Sequence, residues 1–475
     1  MRITLMMIAA AALMTPACSA AVDGGEAVAA ADAGVEEKLR EAMAQLEAQG
    51  FSGFAAVQVA GGAPVLVHSG AADPESGRDY DLDTQFDIGS ISKSLTGLAV
   101  AQLVAEGKLA VDDTIGDFFP DAPPAMAGIT VEQLATHTAG FGPAHGADLR
   151  PQSRAEMFEA VFAEPLIAAP GERYAYSNTG FSILAAMIEE VTGKGYEDYV
   201  VEDVLAPLGL RSTGYWSVYD EARVDAAADR GKVAQASWGG LRDVSWALIG
   251  NGGMVSSARD LLALGQAVAG GGIDDATADT WLKPRVDEGG GTHYGFGIVN
   301  EELDGAGKAW WHNGGNPAFQ TEWWTLADSQ TTLVVHRNGG PVPLAEAFGP
   351  LLRAVTGQEV AAVPQLAATS ELPDTPGGRL ARDFLAAVGG SKADFKTFVE
   401  TRMSAALLEQ MPVETHLDMY DMLHADLGGT EVAGVGEEED RIRLRLKREN
   451  DAGLAVTLYL TEEEGQAKLR GLEIG

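Results

Sequence analysis

The amino-acid sequence predicts an α/β (α+β) protein in which two distant parts of the chain complete one sheet, followed by a smaller α+β domain. Its 475 residues exceed the size of one ordinary hydrophobic core. Strand-like segments stand at both ends of residues 35–362, and helical periodicity fills the middle. Residues 363–378 are rich in Pro, Ala and Thr, which indicates a linker. We therefore expect a large domain at 35–362 and a small one at 379–475.

The first residues carry the pattern of a secretory signal. A positive charge at Arg2 precedes an apolar run from Ile3 to Met14, and small residues continue to Ala21. The run is too short for a stable membrane-spanning helix. Residues 1–21 are therefore predicted to be a signal peptide cleaved near Ala20 or Ala21, which indicates a periplasmic or secreted protein.

The single cysteine, Cys18, lies inside this leader. The mature domains therefore have neither an internal disulfide nor a thiol nucleophile. The segment from Thr15 to Cys18 also resembles a bacterial lipoprotein signal. A membrane-anchored lipoprotein, tethered through Cys18, is thus the alternative to simple cleavage. Residues 22–34 lack periodicity and are predicted to be a tether in either case.

Composition narrows the choice of partners. Hydrophobic residues make up 46% of the chain and charged residues 21%, which is typical of a globular protein. The formal net charge is −36. Nucleic-acid binding depends on cationic side chains that neutralise phosphates. The charge therefore argues against a nucleic-acid partner.

The large domain opens with strands and continues with helices. The runs FAAVQVA and PVLVHSG flank two glycines and predict a hairpin over 54–70. A helix is predicted from Ser90, because apolar residues recur three and four positions apart until Gly107. Thr130 and Gln133 predict a capping box for a short helix.

Two further helices and the closing strands complete the large domain. One helix is predicted over 180–192, with Gly193 as its C-terminal cap. Ser257 and Asp260 carry the capping signature of another. The sequence becomes strand-like again at YGFGIV and TTLVVHRN. These late strands and the early hairpin predict one sheet formed by two distant segments.

The small domain begins with helical segments, RLARDFLAAV and THLDMYDMLHADL, and closes with three predicted strands. Residues 441–447 and 454–460 alternate apolar and polar side chains, so one face of each is expected to be buried. The basic face of RIRLRLK is predicted to be a solvated strand face opposite the acidic EEED and EEE runs. A binding patch is the alternative.

Ser90-Ile91-Ser92-Lys93 is the first motif that can carry chemistry. Residues three apart share a helix face, so Lys93 can take the proton of the Ser90 hydroxyl if burial lowers the pKa of its amine. The helix N-terminus favours the negative charge that develops there. Ser-x-x-Lys is expected about once by chance in a chain of this length. On its own, a solvated helix start is therefore the favoured interpretation.

Tyr176-Ser177-Asn178, just before the helix at 180–192, is the second motif. A tyrosine near an ammonium can exist partly as phenolate and shuttle a proton. Asn178 offers an amide that can hold the lysine and a substrate carbonyl. For an isolated triplet, a packed ring and a helix-capping Asn are the favoured interpretation.

His312-Asn313-Gly314-Gly315 is the third motif and lies in a predicted strand. Glycine lets a strand approach a ligand closely, and a backbone N–H there can pair with that of Ser90 in an oxyanion hole. Taken alone, His312 is as often structural as functional. The other histidines show no metal-ligand spacing, so no metal or cofactor is predicted.

The three motifs in this order, on helix, loop and strand, form one strong pattern. The pattern resembles the serine hydrolases that include class C β-lactamases, D-Ala-D-Ala carboxypeptidases, D-aminopeptidases and related esterases. The likeness runs from about Phe51 to Asn338. It includes FDIGSISKSLTG, ITVEQLATHTAGF, PGERYAYSNTGFSIL, APLGLRSTGYW, GNGGMVSSARDL and WHNGGNPAF. It implies a β-lactamase/DD-peptidase-like fold, in which an antiparallel sheet is flanked by helices and a helical subdomain.

The resemblance also implies roles for the motif residues. Ser90 is the acylated nucleophile, Lys93 and Tyr176 share the acid and base roles, and Asn178 orients the substrate amide. The third motif supplies Gly314 and Gly315, and the N–H of the latter joins that of Ser90 in the oxyanion hole. His137 in THTAG resembles a structural motif and is expected to form hydrogen bonds rather than to catalyse.

One departure bears on the substrate. His312 stands where β-lactamases usually carry Lys, and a mostly neutral histidine binds a carboxylate less firmly. His-x-Gly is more typical of peptidases and esterases. The expected function is therefore hydrolysis of small esters, or of amides and peptides that include D-residues, with His312 contacting the substrate.

The alternatives are a β-lactamase or D-Ala-D-Ala carboxypeptidase acting on peptidoglycan-like substrates and, in another class, a non-hydrolytic penicillin or peptidoglycan sensor. A sensor would have no use for a proton shuttle.

Overall fold

The computed structural model describes residues 24–146, 150–225, 244–289, 291–316, 319–340, 342–357, 369–410, 413–437, 441–447, 453–463 and 465–474. The predicted signal peptide, with Cys18, lies outside the described residues, as do residues 363–368 of the predicted linker. Within the described ranges, no helix combines the length and the apolar character that a membrane crossing requires.

The described strands form three sheets: one of eight strands in the large domain, one of two strands (the third and fourth in the chain) and one of four strands in the small domain. In chain order they are β1 (Ser52–Gln58), β2 (Val65–Ser69), β3 (Gln85–Asp87), β4 (Val255–Ser257), β5 (Val286–Gly289), β6 (Thr292–Tyr294), β7 (Val299–Leu303), β8 (Gly307–Gly315), β9 (Gln320–Leu326), β10 (Thr331–Gly339), β11 (Glu431–Glu437), β12 (Arg441–Lys447), β13 (Gly453–Glu463) and β14 (Gln466–Ile474).

Helices fill the middle of the chain and open the small domain. They are α1 (Gly24–Glu47), α2 (Ser92–Ala105), α3 (Ile115–Phe118), α4 (Val131–Ala135), α5 (Arg154–Ala163), α6 (Asn178–Thr192), α7 (Tyr196–Tyr199), α8 (Ala258–Ala269), α9 (Asp275–Trp281), α10 (Leu344–Thr356), α11 (Pro376–Gly389), α12 (Lys392–Arg402), α13 (Ala405–Gln410), α14 (Val413–Asp418) and α15 (Tyr420–Leu427). Short 3₁₀ turns occupy Gly89–Ile91 and Ala206–Leu208, and a π-helical turn occupies Val200–Leu205.

The large sheet joins the two ends of the large domain. Its strand order is β2-β1-β10-β9-β8-β7-β6-β5, and each neighbouring pair is antiparallel. β1 pairs with β10, from Ser52 opposite Gly339 to Gln58 opposite Thr332. The prediction of one sheet completed by two distant segments is therefore confirmed.

Both faces of this sheet are covered, which explains why β1 is apolar throughout its middle. Phe54 and Ala56 point into a core shared with α2, α6 and α8, whereas Ala55 and Val57 point into a second core with α1 and α10. α2 is buried on nearly all sides, as a helix in the middle of a domain must be. The predicted α/β architecture of sheet and flanking helices is thus confirmed.

The helix α1 differs from the predicted tether. Residues 22–34 were expected to be irregular, but α1 begins at Gly24. The segment AVAAADA has high intrinsic helix propensity although it has no apolar periodicity. Farther along α1, Leu39, Met43 and Leu46 are buried against the outer face of the sheet. The C-terminal half of α1 is therefore packed against the sheet, and the helix continues from it toward the N-terminus as far as Gly24.

The small domain is built on the sheet β11-β12-β13-β14, with α11 to α15 beside it. The sequence predicted three strands and located two of them, at 441–447 and 454–460; the sheet has four. The single helical segment predicted near 415–427 is two helices, α14 and α15. α11 begins at Pro376, capped by the Thr375 hydroxyl, three residues before the predicted boundary at 379.

The basic strand β12 is not simply solvated, contrary to the prediction for RIRLRLK. The Arg445 side chain is 18% exposed and lies 3.2 Å from the carboxylate of Glu346, which is 12% exposed and belongs to α10 of the large domain. An arginine needs a partner when it is buried this far, and α10 supplies one. The basic face of β12 therefore takes part in the contact between the two domains.

Candidate active site

The turn that carries Ser90 is fixed by hydrogen bonds on both sides. β3 leads into it, and the Asp87 carboxylate accepts the Gly89 N–H at 2.7 Å. The Ser92 hydroxyl donates to the Gly89 carbonyl, also at 2.7 Å. Gly89 has φ +47°, a conformation that favours glycine. The turn places Ser90 immediately before α2, where the helix dipole stabilises negative charge.

Lys93 lies beside the Ser90 hydroxyl and is fully buried. Its Nζ is 3.0 Å from Ser90 Oγ and 2.7 Å from the carbonyl oxygen of Asn251. The Asn251 side chain is itself anchored, because its Nδ2 donates to Ser182 Oγ at 2.9 Å and to the Ala247 carbonyl at 2.7 Å. The lysine is thus held with its amine aimed at the nucleophile.

Asn251 was missed by the sequence analysis. It belongs to GNGGMVSSARDL, a segment that carried the resemblance, but it acts through its backbone carbonyl. A side-chain pattern does not reveal such a contact.

Tyr176 completes the group around Ser90. Its ring centroid is 4.8 Å from Lys93 Nζ, and its hydroxyl is hydrogen-bonded to Ser90. Burial of the hydroxyl raises the pKa of Tyr176 above its ordinary value, and the hydrogen bond to Ser90 only partly opposes this effect. The residue is 39% exposed, so part of the ring faces solvent while the hydroxyl is desolvated. Burial therefore favours the neutral phenol over the partial phenolate that the sequence suggested.

The loop that presents Tyr176 is held by His137. The His137 Nδ1 accepts the Ser177 N–H at 3.1 Å, and the Ser177 hydroxyl donates to the Gly142 carbonyl at 2.6 Å. Burial, followed by the charge of Lys93, lowers the pKa of His137 well below its ordinary value. His137 therefore forms the structural hydrogen bond that the sequence indicated.

Asn178 is the first residue of α6, and its backbone N–H donates to the Pro143 carbonyl at 2.8 Å. Its side-chain Oδ1 is buried and has no hydrogen-bond partner among the described residues. A buried acceptor without a partner is costly. The side chain is therefore well suited to accept a hydrogen bond from a substrate N–H, and its role stays a prediction.

The third motif meets the Ser90 turn through backbone atoms. A Cβ added at Gly314 would lie 1.9 Å from the Ile88 carbonyl oxygen and 2.9 Å from Ser90 N. One added at Gly89 would lie 2.4 Å from Gly315 N. Such close approach requires glycine on both sides. It brings the N–H groups of Ser90 and Gly315 together, the arrangement that an oxyanion hole requires.

A cleft of about 280 Å³ opens between this backbone junction and the start of α10. Its lining residues are Ser90, Asn313, Gly314, Gly315, Gln320, Thr321, Glu322, Leu344 and Ala345. None of these described residues carries a positive charge. The volume suits a small acyl group, because pockets for drug-sized ligands begin at about 300 Å³.

His312 does not line this cleft. Its side chain is 2% exposed, with Nε2 2.9 Å from the Tyr294 hydroxyl and Nδ1 2.5 Å from the Asn313 carbonyl oxygen. Burial, and then the charge of Lys93, lower the pKa of His312 to about 3. The expectation that His312 contacts the substrate is therefore corrected: β8 turns this side chain into the core and turns Asn313 outward. Among the described residues, no group of three or more His, Cys, Asp or Glu side chains is arranged to hold a metal ion.

Comparison with known proteins agrees with this geometry. Residues 35–358 match the family model described as Beta-lactamase. The chain is 28% identical to Esterase EstB of Burkholderia gladioli over 279 residues, which cover 50% of this chain and 71% of EstB. It is 29% identical over 223 residues to the D-alanyl-D-alanine-carboxypeptidase/endopeptidase AmpH of Escherichia coli, of which it spans only 56%.

Solved structures show the same fold. The D-amino acid amidase of Ochrobactrum anthropi, solved with D-phenylalanine, superposes with a TM-score of 0.57 at 23% identity, and the match covers 68% of this chain and 99% of the amidase. The family match covers most of the large domain and every motif residue around Ser90. The chain therefore belongs to the beta-lactamase family of serine hydrolases.

Proposed function

We propose that this protein hydrolyses small, uncharged esters or amides through an acyl-enzyme on Ser90. The observation that carries the proposal is the 3.0 Å contact between Lys93 Nζ and Ser90 Oγ, beside a cleft without a cationic lining residue. EstB, which is named as an esterase, supports the choice of esters.

In the proposed acylation, Lys93 first gives up one proton, and Ser90 Oγ then attacks the substrate carbonyl while the deprotonated Lys93 amine accepts the hydroxyl proton. The carbonyl oxygen becomes an oxyanion that accepts hydrogen bonds from the N–H groups of Ser90 and Gly315. The phenol of Tyr176 donates its proton to the leaving group as the carbonyl–leaving-group bond breaks, and the Lys93 ammonium returns a proton to the phenolate. Water then hydrolyses the ester on Ser90 by the same steps in reverse.

The charge of the cleft supports the preference for uncharged substrates. A hydrogen bond to a charged partner is worth about 1.5–3 kcal/mol, which corresponds to roughly ten- to a hundredfold in binding. The described lining residues include Glu322 and no lysine, arginine or histidine. A substrate carboxylate therefore gains no cationic partner there, whereas an uncharged ester loses nothing.

The test is the ratio of kcat/KM for a chromogenic short-chain ester to that for a chromogenic cephalosporin at pH 7. We expect the ester to be favoured by more than tenfold, and the Ser90→Ala protein to turn over neither. A ratio that favours the cephalosporin would promote the β-lactamase alternative. One acyl group per chain with no further turnover would instead identify a sensor.

The proposed location is outside the cytoplasm, as a periplasmic or secreted protein or as a lipoprotein anchored through Cys18. The N-terminal segment, with Arg2 before an apolar run, supports export. Cell fractionation of the wild type and of Cys18→Ser tests it. A lipoprotein moves from the membrane fraction to the soluble fraction in the variant, whereas a simply cleaved protein is soluble in both cases.

A further inference from the structure

Tyr294 lies two strands away from the third motif and reaches it with its hydroxyl. On the sheet, Tyr294 of β6 stands opposite Val299 of β7, which stands opposite Trp311 of β8. The Tyr294 side chain is 1% exposed, and its hydroxyl is 2.9 Å from His312 Nε2. Nothing in the sequence marked this residue except its place in the strand-like segment YGFGIV.

The direction of the Tyr294–His312 hydrogen bond follows from the other ring nitrogen. His312 Nδ1 lies 2.5 Å from the Asn313 carbonyl oxygen, which can only accept, so Nδ1 carries the hydrogen. In a neutral ring Nε2 is then the acceptor, and the Tyr294 hydroxyl donates to it. Both nitrogens are used inside the protein, and one tautomer is fixed.

The surroundings of His312 keep the ring neutral. The titratable groups that face the His312 ring are Tyr294 on β6, Lys93 on α2 and His137. His137 lies just after α4 and accepts the Ser177 N–H from the loop of the second motif. None of them is an anion that would stabilise an imidazolium. The ring can reach the cleft only if it rotates away from Tyr294.

We propose that Tyr294 is a positioning residue that holds His312 away from the cleft and thereby sets the preference for uncharged substrates. The inference rests on the proposed function. If Tyr294 did not hold the ring, an imidazole turned toward solvent would regain an ordinary pKa of about 6.5. It would then offer a positive charge to a substrate carboxylate in mildly acidic solution.

The Tyr294 ring also packs against residues next to the loop of the second motif, and these contacts determine which variant can test the inference. Its centroid is 4.7 Å from that of His137 and 5.9 Å from that of Tyr174. Removal of the whole ring would disturb the loop that presents Tyr176. Tyr294→Phe keeps the ring and removes only the hydroxyl. Tyr174→Phe is the matched control, because its hydroxyl bonds to Glu288 at 3.0 Å and not to His312.

The measured quantity is kcat and KM for an acetyl ester and for a succinyl half-ester, whose acyl group carries a carboxylate, from pH 5.5 to 8. We expect Tyr294→Phe to raise kcat/KM for the half-ester relative to the acetyl ester by roughly three- to tenfold at pH 5.5, mainly through KM. The gain should fade near pH 7.5. Tyr174→Phe should leave the ratio at its wild-type value.

A double-mutant cycle separates an effect through His312 from a general structural one. In a His312→Gln background, Tyr294→Phe should leave the ratio unchanged, because the ring that it releases is gone. A change of equal size in that background, or no change in the wild-type background, would overturn the inference.

A second measurement covers the case in which Tyr294→Phe does not fold. In ¹⁵N-histidine-labelled wild type, the His312 signal should show the Nδ1–H tautomer and no titration between pH 5 and 8. A signal that titrates near pH 6.5 would overturn the inference. Failure of the proposed function is distinguishable, since it would appear as a wild-type preference for the cephalosporin while the His312 signal stays neutral.

Discussion

At the residue scale, the proposed function makes Ser90 and Lys93 one catalytic unit, because Lys93 Nζ is 3.0 Å from Ser90 Oγ. We expect Ser90→Ala and Lys93→Ala each to lower kcat/KM for a short-chain ester by about a thousandfold or more, and the double variant to be little worse than either. Steady-state kinetics on the three proteins checks this. Losses that multiply in the double variant would show that the two residues act independently.

The contact between Lys93 Nζ and Ser90 Oγ also predicts which serine reacts with a labelled fluorophosphonate. Ser92 is fully buried and Ser177 is 3% exposed, and the hydroxyls of both donate to backbone carbonyls. Peptide mass mapping should therefore find the label on Ser90 alone. Label on Ser92 or Ser177 in active protein would remove Ser90 from its role.

The buried histidines predict how stability depends on pH. Burial lowers the pKa of His312 to about 3, whereas the unfolded chain binds that proton near the ordinary value of about 6.5. Between these values the unfolded state holds more protons, so this contribution to stability is complete above about pH 6.5 and is lost as the pH falls toward 3. His312→Gln should therefore flatten the fall in the free energy of unfolding by up to about 1.4 kcal/mol per pH unit.

Denaturant titrations at several pH values test this expectation. His293→Gln is the matched control, because His293 is exposed on β6. An identical pH slope in wild type and His312→Gln, with a normal slope in the control, would contradict burial of a neutral ring at position 312.

The sequence identified the residues around Ser90 because three motifs, each weak on its own, occur together in one order. The spacing within the first motif also places Ser90 and Lys93 on one turn. The sequence did not identify Asn251, which contributes a carbonyl oxygen, or Tyr294, whose hydroxyl acts inside the core. The orientation of His312 was also hidden. In His-x-Gly, the glycines after the histidine have no side chains that would reveal which face of the strand is buried.

At the element scale, the contact between β8 and the Ser90 turn depends on Gly314. A Cβ there would lie 1.9 Å from the Ile88 carbonyl oxygen, so the strand must move away from the turn. A Cβ at Gly315 would lie no closer than 3.3 Å to another atom, the Phe319 carbonyl oxygen, so the strand would need to move much less. We expect Gly314→Ala to lower kcat by about a hundredfold or more, the cost of one lost oxyanion donor, and Gly315→Ala to lower it far less.

Kinetics and circular dichroism on the two variants make this comparison. Both keep their backbone N–H groups, so the difference reports the spacing of the two backbones. Equal losses in two folded variants would show that the close approach of β8 is not needed for catalysis.

The elements that the sequence predicted well are those with local signals. The capping box of Thr130 and Gln133 begins α4, and Gly193, with φ 67°, ends α6. Ser257 caps α8 through the Asp260 N–H. The start of α1 has no such signal, because intrinsic helix propensity decides it.

At the scale of the whole molecule, the small domain contributes no side chain to the described lining of the cleft. A chain ending near residue 365 should therefore keep kcat/KM for a small ester within about tenfold of wild type, while its unfolding midpoint falls because a buried contact is lost. The contact between the domains includes the ion pair Arg445–Glu346. Leu344 and Ala345, which directly precede Glu346, line the cleft.

Arg445→Met in the full chain is the companion variant. It removes the ion pair without removing the domain, so its loss of stability should be smaller than that of the truncation. A soluble, folded truncated protein that loses more than a hundredfold in ester turnover would place the small domain in the active site.

The pairing of β1 with β10 has a consequence for how the enzyme becomes active. Ser52 lies opposite Gly339, so the central strands cannot pair until nearly the whole large domain has left the ribosome. Folding rates fall as contacts become more distant in sequence. Gly314 of β8, a late strand of this sheet, packs directly against the Ser90 turn. Catalytic competence is therefore acquired late in the folding of the large domain, and a nascent chain that ends before β8 cannot form the proposed oxyanion hole.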